Sequence, residues 1–210
     1  MNMKKRLFLV AAVLTALLLT ASIACAQSIK LPAPQTTGGV PTLEAIENRA
    51  SAVSGQFPTG AISQQELSTL LWAAGGRNRG GKGWTVPTAM GLDPYVSIYV
   101  ASKDGMFLYN GKDHALEQLS AGDARAKVSA QAFANSAPCI LVFVTKGKEG
   151  AAYFGQTLVG AMTQNVYLAS QSLNIGARFM ATMQQESVRK ELKLADDDVA
   201  VSIMPLGGKR

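Results

Sequence analysis

The chain predicts an α+β fold, and three observations carry the prediction. The segment "CILVFVT" (139–145) is apolar without interruption, as in a central strand covered on both faces. The runs "YVSIYVAS" (95–102) and "MFLYN" (106–110) flank "KDG", a hairpin signal. Helical and strand patterns alternate irregularly, which favours α+β over a doubly wound sheet.

The elements follow in order. "SIKLPAPQTTGGVP" (28–41) is rich in Pro, Gly and Thr and reads as an extended arm or linker. "TLEAIENRA" (42–50) can start a helix with Thr42 as its cap, placing Leu43, Ile46 and Ala50 on one face. "SQQELSTLLWAAGG" (63–76) is the clearest helix. Ser63 caps it, Glu66 completes a capping box, and Gly75 and Gly76 stop it. "DARAKVSAQAFA" (123–134) reads as helical. "QTLVGAMTQNVYLASQSLNI" (156–175) reads as a long helix buried almost all round. "QQESVRKELKL" (184–194) is a more polar helix, with Arg189 on its polar face, and "DVAVSIMPLG" (198–207) is a closing strand. No internal repeat is visible.

The first residues bear on the compartment. A basic start at Lys4, Lys5 and Arg6, an apolar run and small residues before a cut after Ala26 read as a secretory signal peptide. An uncleaved membrane anchor and a lipid on Cys25 are the alternatives, although Ser22 and Ile23 fit the lipid pattern poorly. The expected organisation is a signal peptide (1–26), an arm (27–41) and one domain (42–210), exported to the periplasm. Removing residues 1–26 takes three cations and no acid, so the formal net charge falls from +6 to +3. Scattered charge of that size gives no nucleic-acid footprint. The remaining cysteine, Cys139, lies inside an apolar strand and reads as a core residue.

Ordinary side-chain chemistry is scarce. His114 is the sole histidine and has no ligand-spaced partner, so a structural or surface role is expected and no metal site is. No GxSxG occurs. "ADDDVA" (195–200) reads as a solvated turn, and "GGRNRGGKG" lacks the flanking strand and helix of a dinucleotide fingerprint. Two elements remain. Arg49 with Ser51 follows the first helix, and Lys209 with Arg210 follows the last strand. A phosphate needs guanidinium, ammonium and hydroxyl donors converging on it; taken alone, each of the two elements reads as solvent-facing charge, and Lys209 with Arg210 equally as a frayed tail.

The segments "PTLEAIENRAS", "ISQQELSTLLWAAGG", "WTVPTAM…YVSIYV", "GMFLYNGKDHALEQLSAGDAR" and "TQNVYLASQSLNIG", in that order, closely resemble the nitroreductase family. The likeness is to its short exported branch, similar to the thiazole-oxidase-like dehydrogenases, and it spans about residues 40–207. It implies a nitroreductase-like fold with a central mixed or antiparallel sheet flanked by helices, built as an intertwined homodimer. It implies FMN at the interface, hydride delivered to the flavin by NAD(P)H or another electron donor, and transfer to a small-molecule acceptor. The flavin does the redox work and the protein binds and shields it.

Carried over by residue, the family's Arg-x-Ser-x-basic motif places Arg49 and Ser51 at the flavin phosphate and ribityl chain, with Val53 in the basic position. Its Pro-Ser-small-x-Asn motif falls on Pro87, Thr88 and Ala89, with Gly91 in the amide position and Asp93 in the glutamine position. A backbone N–H facing flavin N5 falls near Met180, with Ala181 and Thr182 the closest matches. Lys209 and Arg210 stand where some members supply phosphate partners. Arg77, Arg79 and Lys82 are candidates to compensate for the replaced ring contacts. The replacements Val53, Gly91 and Asp93 open a second reading, a flavin-poor binding or interaction protein that keeps the fold. No protein general acid is expected.

Overall fold

Six apolar residues in a row followed by a buried Thr145 leave strand β7 (Cys139–Thr145) no exposed face, and the fold covers both sides of it. The computed structural model describes residues 28–88, 92–148 and 153–209. On one face, Leu141 and Phe143 join Ile98 and Val100 of β4 (Val96–Ser102). They pack on Leu70 and Leu71 of helix α2 (Gln64–Gly75) and on Met162 and Val166 of α5 (Tyr153–Ser172). On the other face, Ile140, Val142 and Val144 join Tyr99 and Ala101. They meet Val128 of α3 (Arg125–Val128) and Val188 and Leu192 of α6 (Gln185–Leu192). The two-residue period of the strand thus feeds two cores.

The seven-stranded sheet adds β1 (Ser28–Lys30), β5 (Gly105–Asn110), β6 (Ala115–Ala121), β8 (Ile175–Ala177) and β9 (Val199–Gly208) in the order β1-β6-β5-β4-β7-β9-β8. Every neighbouring pair in it is antiparallel. This is the α+β architecture expected. A separate hairpin joins β2 (Arg77–Asn78) to β3 (Gly83–Trp84).

The α2 prediction holds in detail: Ser63 Oγ accepts from the Glu66 N–H while the Glu66 carboxylate accepts from the Ser63 N–H at 2.7 Å. Other expectations need correction. Thr42 is the first residue of α1 (Thr42–Asn48) and not its cap; Pro41 holds that position without a side-chain bond. Leu43 and Ile46 are 80% and 51% exposed, and Ala45 is the buried residue of the helix. The helix expected over 123–134 breaks at Ser129, whose backbone is extended and whose Oγ accepts from the Gln131 N–H; α4 (Ala132–Ser136) follows. Helix α5 is not buried all round, because Tyr153, Phe154, Gln156, Gly160 and Gln164 are exposed. Asp198 is buried: its carboxylate pairs with Lys146 and accepts from the Gly147 and Ala195 N–H groups. Arg189 is not merely solvent-facing either, since it donates to the Asp198 and Ala195 carbonyls.

The 28–41 arm is extended, and it is docked. Ser28–Lys30 pairs with β6, Leu31 is buried, and the Gln35 N–H donates to Thr69 Oγ1 at 3.0 Å. His114 has the structural role expected. The Pro32 carbonyl near Nε2 (3.1 Å) can only accept, so Nε2 carries the proton and Nδ1 accepts from the Tyr109 hydroxyl at 2.8 Å. Burial holds this imidazole below its ordinary pKa. Cys139 is a core residue whose thiol burial pushes up to about 12.

Candidate functional site

Tyr167, on the long α5, gathers the first group of candidates. Its ring is buried, and the Arg49 guanidinium lies over it at 4.9 Å from the centroid. Its hydroxyl oxygen accepts from the Phe179 N–H at 2.7 Å and lies 2.7 Å from Ser51 Oγ. Either hydroxyl can donate in the Tyr167–Ser51 bond, which fixes Ser51 Oγ beside the Arg49 guanidinium. Ser51 is exposed and Arg49 half-buried, so both reach solvent from a fixed base.

The backbone fixes that base. The Ala52 N–H donates to the Ala177 carbonyl at 2.9 Å, and Arg178 Nη1 donates to the Ala52 carbonyl at 3.0 Å. Residues 49–52 are thereby stapled along edge strand β8. On its inner side β8 pairs with β9, Ile175 opposite Gly208 and Ala177 opposite Leu206. The next residue, Lys209, donates its N–H to the Asn174 carbonyl at 3.1 Å. Lys209 and Ser51 therefore flank opposite ends of one short strand, offset by about 10 Å along it at 3.3 Å per residue and lying on its two different edges. Arg210 lies outside the described residues.

Ala181 and Thr182 come next. Met180 pairs with Ile203 through two backbone bonds of 2.9 Å, which leaves both following residues exposed. Thr182 Oγ1 accepts from Gln131 Nε2 at 3.2 Å. Among the described residues, neither the Ala181 nor the Thr182 N–H has a hydrogen-bond partner, so both are available to a ligand.

The Pro87 loop is anchored elsewhere. The Thr85 N–H donates to the Gly76 carbonyl at 3.0 Å and Thr85 Oγ1 to the Trp72 carbonyl at 3.1 Å. Asn165 Nδ2 of α5 then bridges the Ala73 and Thr85 carbonyls, both at 3.1 Å. Gly76 is required here, since a Cβ on it would come within 2.6 Å of the Trp72 side chain. From this root Val86 is buried, Pro87 exposed and Thr88 half-buried. Ala89 and Gly91 lie outside the described residues. Asp93 is exposed and ion-paired with Lys112 at 2.6 Å, and Val53 is 64% exposed.

Asn165 and Tyr167 are two residues apart on one helix, hence about 200° apart around its axis. The Pro87–Thr88 loop and the Arg49–Ser51–Tyr167 cluster accordingly sit on opposite faces of α5. Within one chain the two groups do not converge on a common pocket. Tyr167 and Phe179 carry no role in the sequence reading; the one available signal is a lone tyrosine amid the apolar positions of "TQNVYLAS". Among the described residues no group of His, Cys, Asp and Glu is placed to hold a metal ion, and no helix is long and apolar enough to cross a membrane.

Known proteins resemble this chain in sequence and fold. A solved structure from Ralstonia eutropha JMP134, described provisionally as a nitroreductase, is 30% identical, with a TM-score of 0.75 over 87% of this chain and 90% of that one. A relative from Methanocaldococcus jannaschii, also named provisionally as a nitroreductase, is 26% identical over 172 residues, 73% of this chain and 85% of the relative. An FMN-dependent nitroreductase from Clostridium difficile R20291 shares the fold at 14% identity, with a TM-score of 0.54 over 79% of this chain and 86% of that one. The model of the nitroreductase family matches residues 48–208, from just before Arg49 to the end of β9, and the chain therefore belongs to the nitroreductase family.

Proposed function

We propose that the protein is an FMN-dependent oxidoreductase whose flavin site is completed by two copies of the chain. The observation that carries this reading is the placement of two ligand-ready groups on opposite faces of α5. Arg49, Ser51 and Lys209 offer charged and hydroxyl donors with no carboxylate bonded among them, which suits a phosphate tail. The free N–H groups at Ala181 and Thr182 lie beyond Phe179 on the same side and suit the hetero-edge of a ring. Pro87 and Thr88 supply an apolar and half-buried ledge for that ring from a second copy. Exposed Leu43, Ile46, Tyr153 and Phe154 give two such copies apolar surface to bury.

Bound FMN would supply the redox chemistry, carrying electrons from NAD(P)H or another reduced donor to a small-molecule acceptor. The chain's own part is to hold the tail, orient the ring and exclude water. No side chain here is placed as a proton donor to an acceptor. The basic start and apolar run before Ala26 support export, and we place the mature protein in the periplasm.

The second reading, a flavin-poor binding protein on the same fold, draws on Val53 and Asp93. The first puts no charge at a position where the family has a base, and the second spends its carboxylate on Lys112. Purifying the full chain and adding FMN decides between them. Flavin binding gives a band at about 450 nm that co-elutes with protein and bleaches when NAD(P)H is added without oxygen. Colourless protein with no measurable FMN affinity would remove the first reading.

A further inference from the structure

The β2–β3 hairpin builds a second cationic site from Arg77, Arg79 and Lys82, the residues that the sequence offers as substitutes for the replaced ring contacts. A pocket of about 480 Å³ opens between this hairpin and the ledge, lined by Arg77, Asn78, Arg79, Lys82, Trp84 and Thr88 among others. Its wall holds three cations and no carboxylate. None of the three is ion-paired among the described residues. Three like charges on so short a hairpin repel one another unless something negative sits between them.

The cations are also held in place. The Arg77 guanidinium stacks over the Trp84 ring at 4.4 Å, and its carbonyl accepts from Trp72 Nε1 at 2.8 Å. Arg79 takes a left-handed backbone (φ 49°), and its guanidinium lies across Gly83, where a Cβ would come within 1.8 Å of Nη2. Gly83 thus leaves the space that the Arg79 head occupies. Two atoms belonging to lining residues, Trp84 Nε1 and Asn78 Oδ1, are buried without a hydrogen-bond partner, and Trp84 is itself 8% exposed. A buried indole N–H can only donate, so it asks for an acceptor.

We propose that this pocket binds the phosphate group of a phosphorylated second substrate of the flavin reaction. Three cations and an indole N–H match a multiply charged phosphate better than a single carboxylate. Within one chain the site lies on the ledge side of α5, away from Arg49 and Ser51; in the two-copy arrangement the flavin tail is assigned to the Arg49 cluster of the other copy, which leaves this pocket to a second molecule. Pro87 and Thr88 form part of the same wall, which brings the bound group next to the ring ledge. The assignment to a substrate rests on the flavin reading; the anion site itself does not.

The test is calorimetric titration of the full-length chain with sodium pyrophosphate, against sodium chloride of matched ionic strength. Saturable binding is expected. The double variant Arg79→Gln/Lys82→Gln should weaken it by about 10- to 100-fold, the range for losing charge-assisted bonds. Trp84→Phe, which keeps the stacked ring and removes the N–H, should weaken it several-fold, with circular dichroism confirming that each variant is folded. Lys190→Ala, which removes an exposed cation outside both sites, should leave pyrophosphate binding unchanged. Absence of saturable binding, insensitivity to the double variant, or an equal loss in Lys190→Ala would each overturn the proposal. FMN titration of the same variants keeps the two ideas apart: pyrophosphate binding without FMN binding retires the flavin reading and leaves the pocket standing. With FMN-loaded protein, competition by pyrophosphate against NADPH assigns the phosphate to the donor, and competition against a phosphorylated acceptor assigns it to the acceptor. Competition with neither overturns the substrate assignment.

Discussion

Replacing Tyr167 with phenylalanine removes one oxygen and keeps the ring on which Arg49 rests. Two contacts go with it: the acceptor for the Phe179 N–H and the link to Ser51, both at 2.7 Å. The ring is buried, so no water takes the place of the hydroxyl without displacing neighbours. Losing the Ser51 link costs about 0.5–1.5 kcal/mol, because Ser51 is exposed and can turn to water. The Phe179 N–H is partly buried and adds about 1 kcal/mol more. The total expected is about 1.5–2.5 kcal/mol, read as a lower urea midpoint at unchanged m-value. The same variant should weaken FMN binding by about 3- to 10-fold, since Ser51 loses the bond that fixes its hydroxyl beside Arg49. The two readouts separate scaffold from site: a change in stability alone makes Tyr167 a packing residue. A midpoint and an FMN affinity both equal to those of the parent would refute the hydrogen-bond ordering argued for this cluster.

Arg49→Ala should weaken FMN binding about 10- to 100-fold, while Lys190→Ala, an exposed cation remote from β8, should change it less than about twofold in a fluorescence titration; equal effects would contradict the phosphate assignment. Gly207→Ala places a Cβ 1.8 Å from the Pro58 carbonyl oxygen and forces apart the paired Gly60 and Gly208. A loss of about 2–4 kcal/mol in thermal or urea unfolding is expected, and a stability within about 0.5 kcal/mol of the parent would mean that the 57–61 segment yields freely. The His114 imidazole is held below its ordinary value of 6.5 chiefly by burial, so the unfolded chain binds more protons as the solution is acidified. Its contribution is full above pH 6.5 and is lost as pH falls through the folded value; His114→Asn should flatten the urea midpoint over that range. Light scattering should find the full chain dimeric, and Phe154→Asp should make it monomeric and lower its FMN affinity together.

Much of the fold was legible because its signals are local. The uninterrupted apolar run at 139–145 and the capping box at Ser63 and Glu66 each state their structure within a few residues, and both hold. What escaped depends on partners distant in sequence. β8 has three residues, too few for any period, and exists because β9 pairs with it. β6 reads "ALEQLSA", without clean alternation, and is fixed between β1 and β5. At the site, Arg49 and Ser51 stood out as a phosphate-type pair, but the residue that holds them, Tyr167, is more than a hundred positions away. Asp198 looked like one acid of three in a solvated turn; its burial follows from Lys146 and Gly147 on the facing segment, which no local pattern discloses.

One mismatch between sequence and chain bears directly on the dimer. α5 carries apolar residues on more of its circumference than its own chain covers. Its inner face meets the sheet and α2, and Tyr167 meets Arg49 and β8, yet Tyr153 and Phe154 remain 77% and 63% exposed. The same holds for α1, where Leu43 and Ile46 face water. Four large apolar side chains in the open are costly, and exposed apolar surface on two helices suits a partner that covers it. On the two-copy reading proposed above, a second copy would meet the requirement without any new residue. It would cover apolar surface left open on α1 and α5 and bring the Pro87 ledge of one chain within reach of the Arg49 cluster of the other. Burial of these two helices and completion of the flavin site would then be one event, so a substitution that separates the copies should abolish both together.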